Sequence, residues 1–177
     1  MAIKIYNLRI VPPQPVYDDV QNFKNQFIEK FGKHPLSKSK PHVTLAYFYM
    51  DTQYEDVLVK AFDQLATIRK FHLSVGDFAF FPTVLILEIS KAEEINAIHA
   101  QTKKIWQQDL YFGKSALGIS NPPHMTISRT KDKATLEASF GFFSKMGYKN
   151  VFEVDHLVLT SRMPGKTWEW DHKIVLA

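Results

Sequence analysis

The phrase Pro-His-x-Thr occurs twice in this chain, as Pro41-His42-Val43-Thr44-Leu45 and Pro123-His124-Met125-Thr126-Ile127, with the histidines 82 positions apart. In a chain of 177 residues that offset is nearly half the length, so the first expectation is a fold made of two related units. Residues two apart on a strand share a face. His42 and Thr44 should therefore point the same way, as should His124 and Thr126, with Val43, Leu45, Met125 and Ile127 turned into an apolar layer.

Hydrophobic periodicity supplies the elements around the two phrases. Alternation marks strands over residues 2–11, closed by Pro12-Pro13, and 42–49. Between them Val20, Phe23, Phe27 and Phe31 recur at helical steps up to Gly32. A helix over 54–70 carries Leu58, Ala61, Phe62, Leu65 and Ile68 on one face, and strands follow over 71–80 and 83–90. A third helix covers 91–110 with Ile95, Ile98, Thr102 and Ile105. The stretch YFGKSALGISNPP reads as loop, 124–129 as strand, 133–147 as helix, and 151–161 and 167–176 as a closing strand pair. Shifting the first half by 82 lays strand on strand and helix on helix to within a few residues. The expected fold is therefore α+β and bilobal: one domain, residues 1–177, of two βαβαβ-type lobes, approximately 1–82 and 83–177. Antiparallel sheets face each other across a central cleft, helices lie outside, and strands can be exchanged between lobes.

Composition narrows the chemistry. The chain has no cysteine, which removes disulfides, thiolate nucleophiles and cysteine-bound metals. It contains no His-Glu-x-x-His and no histidine–carboxylate cluster, so no metal and no cofactor is expected. Gly113-Lys114-Ser115 lacks the glycine spacing of a phosphate loop, since position 108 is Gln. What remains is chemistry by histidine, hydroxyl, carboxylate or amine groups, and the repeated phrase pairs imidazole with hydroxyl. Cleaving a phosphodiester requires one group to take a proton from the attacking oxygen and another to give one to the departing oxygen. Histidine, with an ordinary pKa near 6.5, does either near neutrality. Threonine hydroxyls then donate to the non-bridging oxygens as charge gathers there. One His-x-Thr alone is ordinarily a half-buried strand pair; two, each after proline and at matched places in a repeat, favour catalysis.

The segments HVTLAYF and HMTISR resemble the paired motifs of the two-histidine (2H) phosphoesterase superfamily, and within it most nearly the bacterial 2′-5′ RNA ligase/RNA 2′,3′-cyclic phosphodiesterase group. FHLSVGDFAFFPTVLILEIS and VFEVDHLVLTSRMPGKTWEW extend the resemblance over nearly the whole chain. It implies metal-independent catalysis by His42, Thr44, His124 and Thr126. The implied partner is RNA or a nucleotide with a 2′,3′-cyclic phosphate, opened to a 2′-phosphate by water or joined through a 2′-5′ linkage by a 5′-hydroxyl. Tyr47 and Ser128 depart from the group's pattern. Two other readings share the cleft: a non-catalytic RNA- or nucleotide-binding module, and a phosphodiesterase for ADP-ribose cyclic phosphate or 2′,5′-oligoadenylate.

Around the motifs, Lys40 and Arg129 are candidate phosphate contacts, although strict alternation places Arg129 on the face opposite His124. Phe48 and Phe78 are candidate stacking platforms for a base, with Trp168 and Arg162 as further candidates. His34, His72, His99, His156 and His172 have no partner at meaningful spacing and are expected to be structural. The formal charge of +4 permits an anionic ligand without requiring one. The first residues, with Lys4 and Arg9 inside the apolar stretch, do not read as a signal peptide, and no apolar run in the sequence reaches membrane-spanning length. A cytoplasmic monomer is expected, with no membrane association and no obligate protein partner.

Overall fold

The computed structural model describes residues 2–90, 92–111 and 116–177; the Gly113-Lys114-Ser115 stretch lies outside them. Nine strands and four α-helices follow the order β1 Ile3–Ile10, α1 Val16–Phe31, β2 Val43–Asp51, α2 Glu55–Phe62, β3 Phe71–Phe81, β4 Val84–Ile89, α3 Glu93–Lys104, β5 Leu117–Ile119, β6 His124–Arg129, α4 Lys133–Phe143, β7 Lys149–Val154, β8 His156–Arg162 and β9 Trp170–Val175. The strands form one antiparallel sheet in the order β7-β3-β4-β6-β2-β1-β8-β9, with β5 added to β2. Its two halves meet at β6 and β2 through a single register pair, Val43 opposite Met125. Both residues are fully buried, so the seam is closed by apolar packing.

The fold is the expected α+β class, but the halves of the sheet do not coincide with residues 1–82 and 83–177. The third strand of each repeat pairs with the first strand of the other: β3 lies beside β4, and β8 beside β1. The helices cross over too, α1 packing on β6 and α3 on β2. Each half therefore completes its core with elements from the other, which ties the two into one unit. The single strand expected over 151–161 is β7 and β8, which break at Asp155 and belong to opposite halves. A parity slip marks the break: the buried positions run 152 and 154, then 157 and 159. The loop expected before the second motif contributes the short strand β5. Among the described residues no helix is long and apolar enough to cross a membrane.

Matched irregularities interrupt the strands that carry the motifs. In β2 the register moves from Arg9 opposite Thr44 to Leu8 opposite Ala46, leaving Leu45 unpaired. In β6 it moves from Ile86 opposite Thr126 to Leu85 opposite Ser128, leaving Ile127 unpaired. Each is a β-bulge, one extra residue that reverses which face later side chains occupy. A bulge also frees backbone groups that must find partners elsewhere. The Leu45 carbonyl accepts from Ser120 N (3.0 Å) and faces the imidazole of His99 on α3, whose charged form it favours against the opposing effect of burial. The Ile127 carbonyl accepts from Lys24 Nζ on α1 at 3.4 Å, and Lys24 also donates to Leu36 O and Ser39 Oγ, each at 3.1 Å. Lys24 is 1 % exposed, and this burial pushes its ammonium down to about 8. His99, expected from sequence to be structural, is buried beside the first bulge.

Lys24→Met keeps the bulk and strips the donors, leaving buried carbonyls unpaired; an unsatisfied buried group costs about 1–3 kcal/mol. The expected loss, read from urea unfolding, is roughly 2–4 kcal/mol, with protection of the Ser39–Lys40 segment against proteolysis lost in parallel.

Candidate active site

Val43 opposite Met125 fixes the site's geometry. Continuing that antiparallel register one residue each way places His42 opposite Thr126 and Thr44 opposite His124, a pseudo-two-fold diamond on the face away from the buried pair. Directly opposed residues have Cβ atoms about 4.5–5.5 Å apart, so the four side chains can meet one small anion. All four are partly exposed while their strand neighbours Val43, Leu45, Met125 and Ile127 are buried.

The two imidazoles are held alike. His42 Nδ1 lies 2.7 Å from the Lys40 carbonyl, and His124 Nδ1 lies 2.9 Å from the Pro122 carbonyl, in both cases two residues back along the chain. A carbonyl only accepts, so Nδ1 carries the proton in each neutral ring and Nε2 is left for the cleft. Lys40 thus enters through its backbone; its side chain is exposed.

The hydroxyls are not equivalent. Thr44 Oγ1 accepts from Asn7 Nδ2 (3.4 Å), and Asn7 Oδ1 accepts from Arg9 Nε (3.0 Å). With its lone pair engaged, the Thr44 hydroxyl has its own proton to donate. Thr126 faces Ile86, and the next positions on that side are Val84 and Ala79. The surroundings of Thr44 are therefore polar and basic and those of Thr126 aliphatic, while on the β4–β6 side the exposed charges of this face, Glu88 opposite His124 and Arg129 opposite Val84, flank that aliphatic stretch. Burial, with the Arg9 guanidinium beside it, pushes His42 down to about 3, with smaller contributions from Lys24 and His124. Among the described residues no group of three or more His, Asp or Glu side chains is arranged to hold a metal ion.

The bulges decide the fate of the remaining candidates. Because Ile127 is the extra residue, Arg129 falls on the same face as His124 and Thr126 and is exposed there. Because Leu45 is the extra residue, Phe48 turns away from the cleft, against the expectation, and packs in the core on Tyr6 (5.3 Å between ring centroids) and Trp106 (4.7 Å). Tyr47 takes the cleft side instead, over Gly118 of β5, where even a Cβ would lie 2.3 Å from the ring. Phe78 is also a correction. A register shift at Gly76–Asp77, with Asp77 at φ 58°, turns it into the core against Phe23 and Phe143, each at 5.2 Å. The aromatic in contact with a motif histidine among the described residues is Phe81, whose ring meets His124 edge-on at 5.4 Å. Its pairing with Val84 opposite Arg129 would have revealed it had the register been known.

Residues 12–166 match the family model described as the 2′-5′ RNA ligase superfamily. The chain belongs to that superfamily. The family match and the structural neighbours support the two-histidine phosphoesterase resemblance, and membership points to phosphoesterase- or RNA ligase-like activity as the general class. No curated protein matches the chain by sequence. Among solved structures it is similar to TT0787 of Thermus thermophilus (TM-score 0.66, 12 % identity, covering 96 % of this chain and 97 % of that one). It is also similar to E. coli LigT complexed with 3′-AMP (TM-score 0.64, 14 % identity, 98 % and 99 %) and to Kluyveromyces marxianus Usb1 (TM-score 0.52, 10 % identity, 97 % and 98 %). At these identities the likeness shows the fold.

The His42 environment has a pH consequence. Unfolded histidine titrates near 6.5, whereas folded His42 stays neutral to about 3. Its contribution to stability is complete above pH 6.5 and is lost as pH falls toward 3, because the unfolded chain then binds the extra proton. Between pH 7 and pH 5 the wild type is expected to lose up to about 2 kcal/mol more than His42→Gln, compared by urea midpoints. Equal losses would contradict the environment described.

Proposed function

We propose that the protein is a metal-independent phosphodiesterase that opens 2′,3′-cyclic phosphates of RNA ends or nucleotides to 2′-phosphates. The observation that carries this reading is the twofold arrangement of His42 and His124. Each has Nδ1 tied to a carbonyl and Nε2 left for the cleft, and each lies across from the other's threonine.

With the cyclic phosphate between the imidazoles, one Nε2 takes a proton from water as its oxygen bonds to phosphorus. The other, entering the step as imidazolium with Nδ1 still on its carbonyl, delivers its Nε2 proton to O3′ as the P–O3′ bond breaks, so the two rings exchange protonation states. The 2′-phosphate and a 3′-hydroxyl result. Thr44 and Thr126 donate to the non-bridging oxygens, and the Arg9–Asn7–Thr44 chain fixes the direction of one of those donors. The negative charge of the phosphate opposes the effect of Arg9 and draws His42 back toward its ordinary range, so substrate itself readies that ring for proton transfer. Replacing water by a 5′-hydroxyl gives a 2′-5′ phosphodiester by the same proton transfers. Complexes of E. coli LigT with 3′-AMP and with phosphate support a nucleotide-phosphate ligand for this fold.

Each positioned acid or base contributes about 10²–10⁴-fold. Turnover of a nucleoside 2′,3′-cyclic phosphate is therefore expected to persist in EDTA and to fall by roughly that factor in His42→Ala and in His124→Ala. Full activity in both variants, or its abolition by EDTA, would overturn the mechanism. Saturable binding without any product would favour the binding-module reading.

A further inference from the structure

On the basic side of the cleft stands a pair of guanidiniums of which the two-histidine chemistry uses only one nitrogen, Arg9 Nε. Cross-strand partners share a face, so Arg9 (opposite Thr44 and Val158), Asn7 (opposite Tyr47 and Thr160) and Ile5 (opposite Tyr49 and Arg162) place Arg9, Arg162, Tyr47 and Tyr49 on the side of Thr44. Both guanidiniums lie over the Trp168 ring, at 4.5 Å for Arg9 and 5.0 Å for Arg162. The indole brings together two like charges that begin four residues apart along the sheet.

Both arginines are short of partners. Arg9 is 7 % exposed, uses Nε on Asn7, and has a buried terminal nitrogen, Nη2, without a hydrogen-bond partner. Arg162 uses Nη1 on the Lys166 carbonyl (3.1 Å), while its buried Nε has none. Among the described residues neither forms an ion pair; Asp171 is the carboxylate whose field reaches Arg9, and Arg162 opposes it. Burial holds the Arg9 guanidinium down to about 10, so at neutral pH the cluster still carries two positive charges. Buried donors without acceptors are uncommon in folded proteins and call for an explanation. A phosphoryl group supplies what is missing, with several acceptor oxygens and negative charge matched to guanidinium forks.

Resting on the cyclic-phosphate reading of the neighbouring site, we infer that Arg9, Arg162 and Trp168 form a second phosphate subsite. The preferred substrate is then a 2′,3′-cyclic phosphate that bears another phosphoryl group. Tyr47 and Tyr49, 49 % and 61 % exposed on the same face, provide surfaces for the intervening nucleoside. The Thr126 side, with Ile86 and Val84 in the matching positions, has no such pair. The substrate therefore runs from the histidines along β2 toward Tyr49.

The test compares three substrates: adenosine 2′,3′-cyclic phosphate, its 5′-phosphorylated form, and the dinucleotide ApA ending in a 2′,3′-cyclic phosphate. Charge-assisted hydrogen bonds of this kind correspond to roughly 10–100-fold in affinity. The wild type is expected to favour a substrate with the second phosphate by that factor in kcat/KM, mainly through KM. A larger gain with the 5′-phosphate points to a terminal phosphate, and with the dinucleotide to an RNA phosphodiester. Arg162→Gln should collapse the preference toward unity, and Arg162→Lys, which keeps charge but loses the fork, should retain part of it. Absence of preference in the wild type, or full preference in Arg162→Gln, overturns the subsite. If no cyclic phosphate is turned over, the reading of the histidine site fails, and equilibrium binding of adenosine 2′-phosphate against adenosine 2′,5′-bisphosphate decides the subsite separately. Tighter bisphosphate binding that Arg162→Gln abolishes supports it, and equal binding refutes it.

Discussion

Two extra residues, Leu45 and Ile127, set the terms for this site. A regular strand would continue the His-x-Thr face through Ala46 and Phe48 in β2 and past Ser128 in β6. The bulges reverse that parity, so the strands present His and Thr to the cleft, then return Phe48 and Ser128 to the buried side and bring Tyr47 and Arg129 out. Such a reversal is stable only if the freed carbonyls are satisfied. Ser120 N reaches the Leu45 carbonyl, with His99 of α3 beside it, and Lys24 of α1 reaches the Ile127 carbonyl; each helix packs on the half of the sheet that belongs to the other repeat.

The crossing of elements follows from the same arrangement. With β3 beside β4 and β8 beside β1, neither half can complete its layer without the other, and the Val43–Met125 pair is held at the centre of a single sheet. The symmetry is one of backbone and not of surroundings. Thr44 is backed by Asn7 and Arg9, Thr126 by Ile86. A near-symmetric pair of imidazoles thus sits in an asymmetric cleft, with a hydrogen-bonded arginine behind one threonine and an aliphatic side chain opposite the other.

Much of this was legible in the sequence, and what was hidden has a common cause. The four His and Thr positions could be read because they precede the bulges, where period-two alternation still holds, and because the 82-residue repeat marks them twice. Phe48, Phe78 and Arg129 were misplaced or left unresolved because each follows an inserted residue. Leu45 and Ile127 are ordinary buried aliphatics with no glycine or proline to announce a bulge. The division of 151–161 at Asp155 did leave a trace in the spacing of Phe152, Val154, Leu157 and Leu159. Which strands are exchanged between the halves left none, since pairing partners far apart in the chain are not encoded in local periodicity. Phe81 and the Arg9–Asn7–Thr44 chain depend on register across strands and appear only once the sheet is assembled.

The central claim is that twin bulged strands hold two imidazoles in one tautomer, with both Nε2 atoms turned to a shared anion. Histidine ¹⁵N NMR with inorganic phosphate as the probe tests it most directly. The neutral forms of His42 and His124 are expected to carry the proton on Nδ1, and added phosphate should shift the Nε2 signals of these two rings together, along one saturation curve, with the other five histidines undisturbed. A proton on Nε2 in either neutral ring, or a response from one of the pair without the other, would contradict the account.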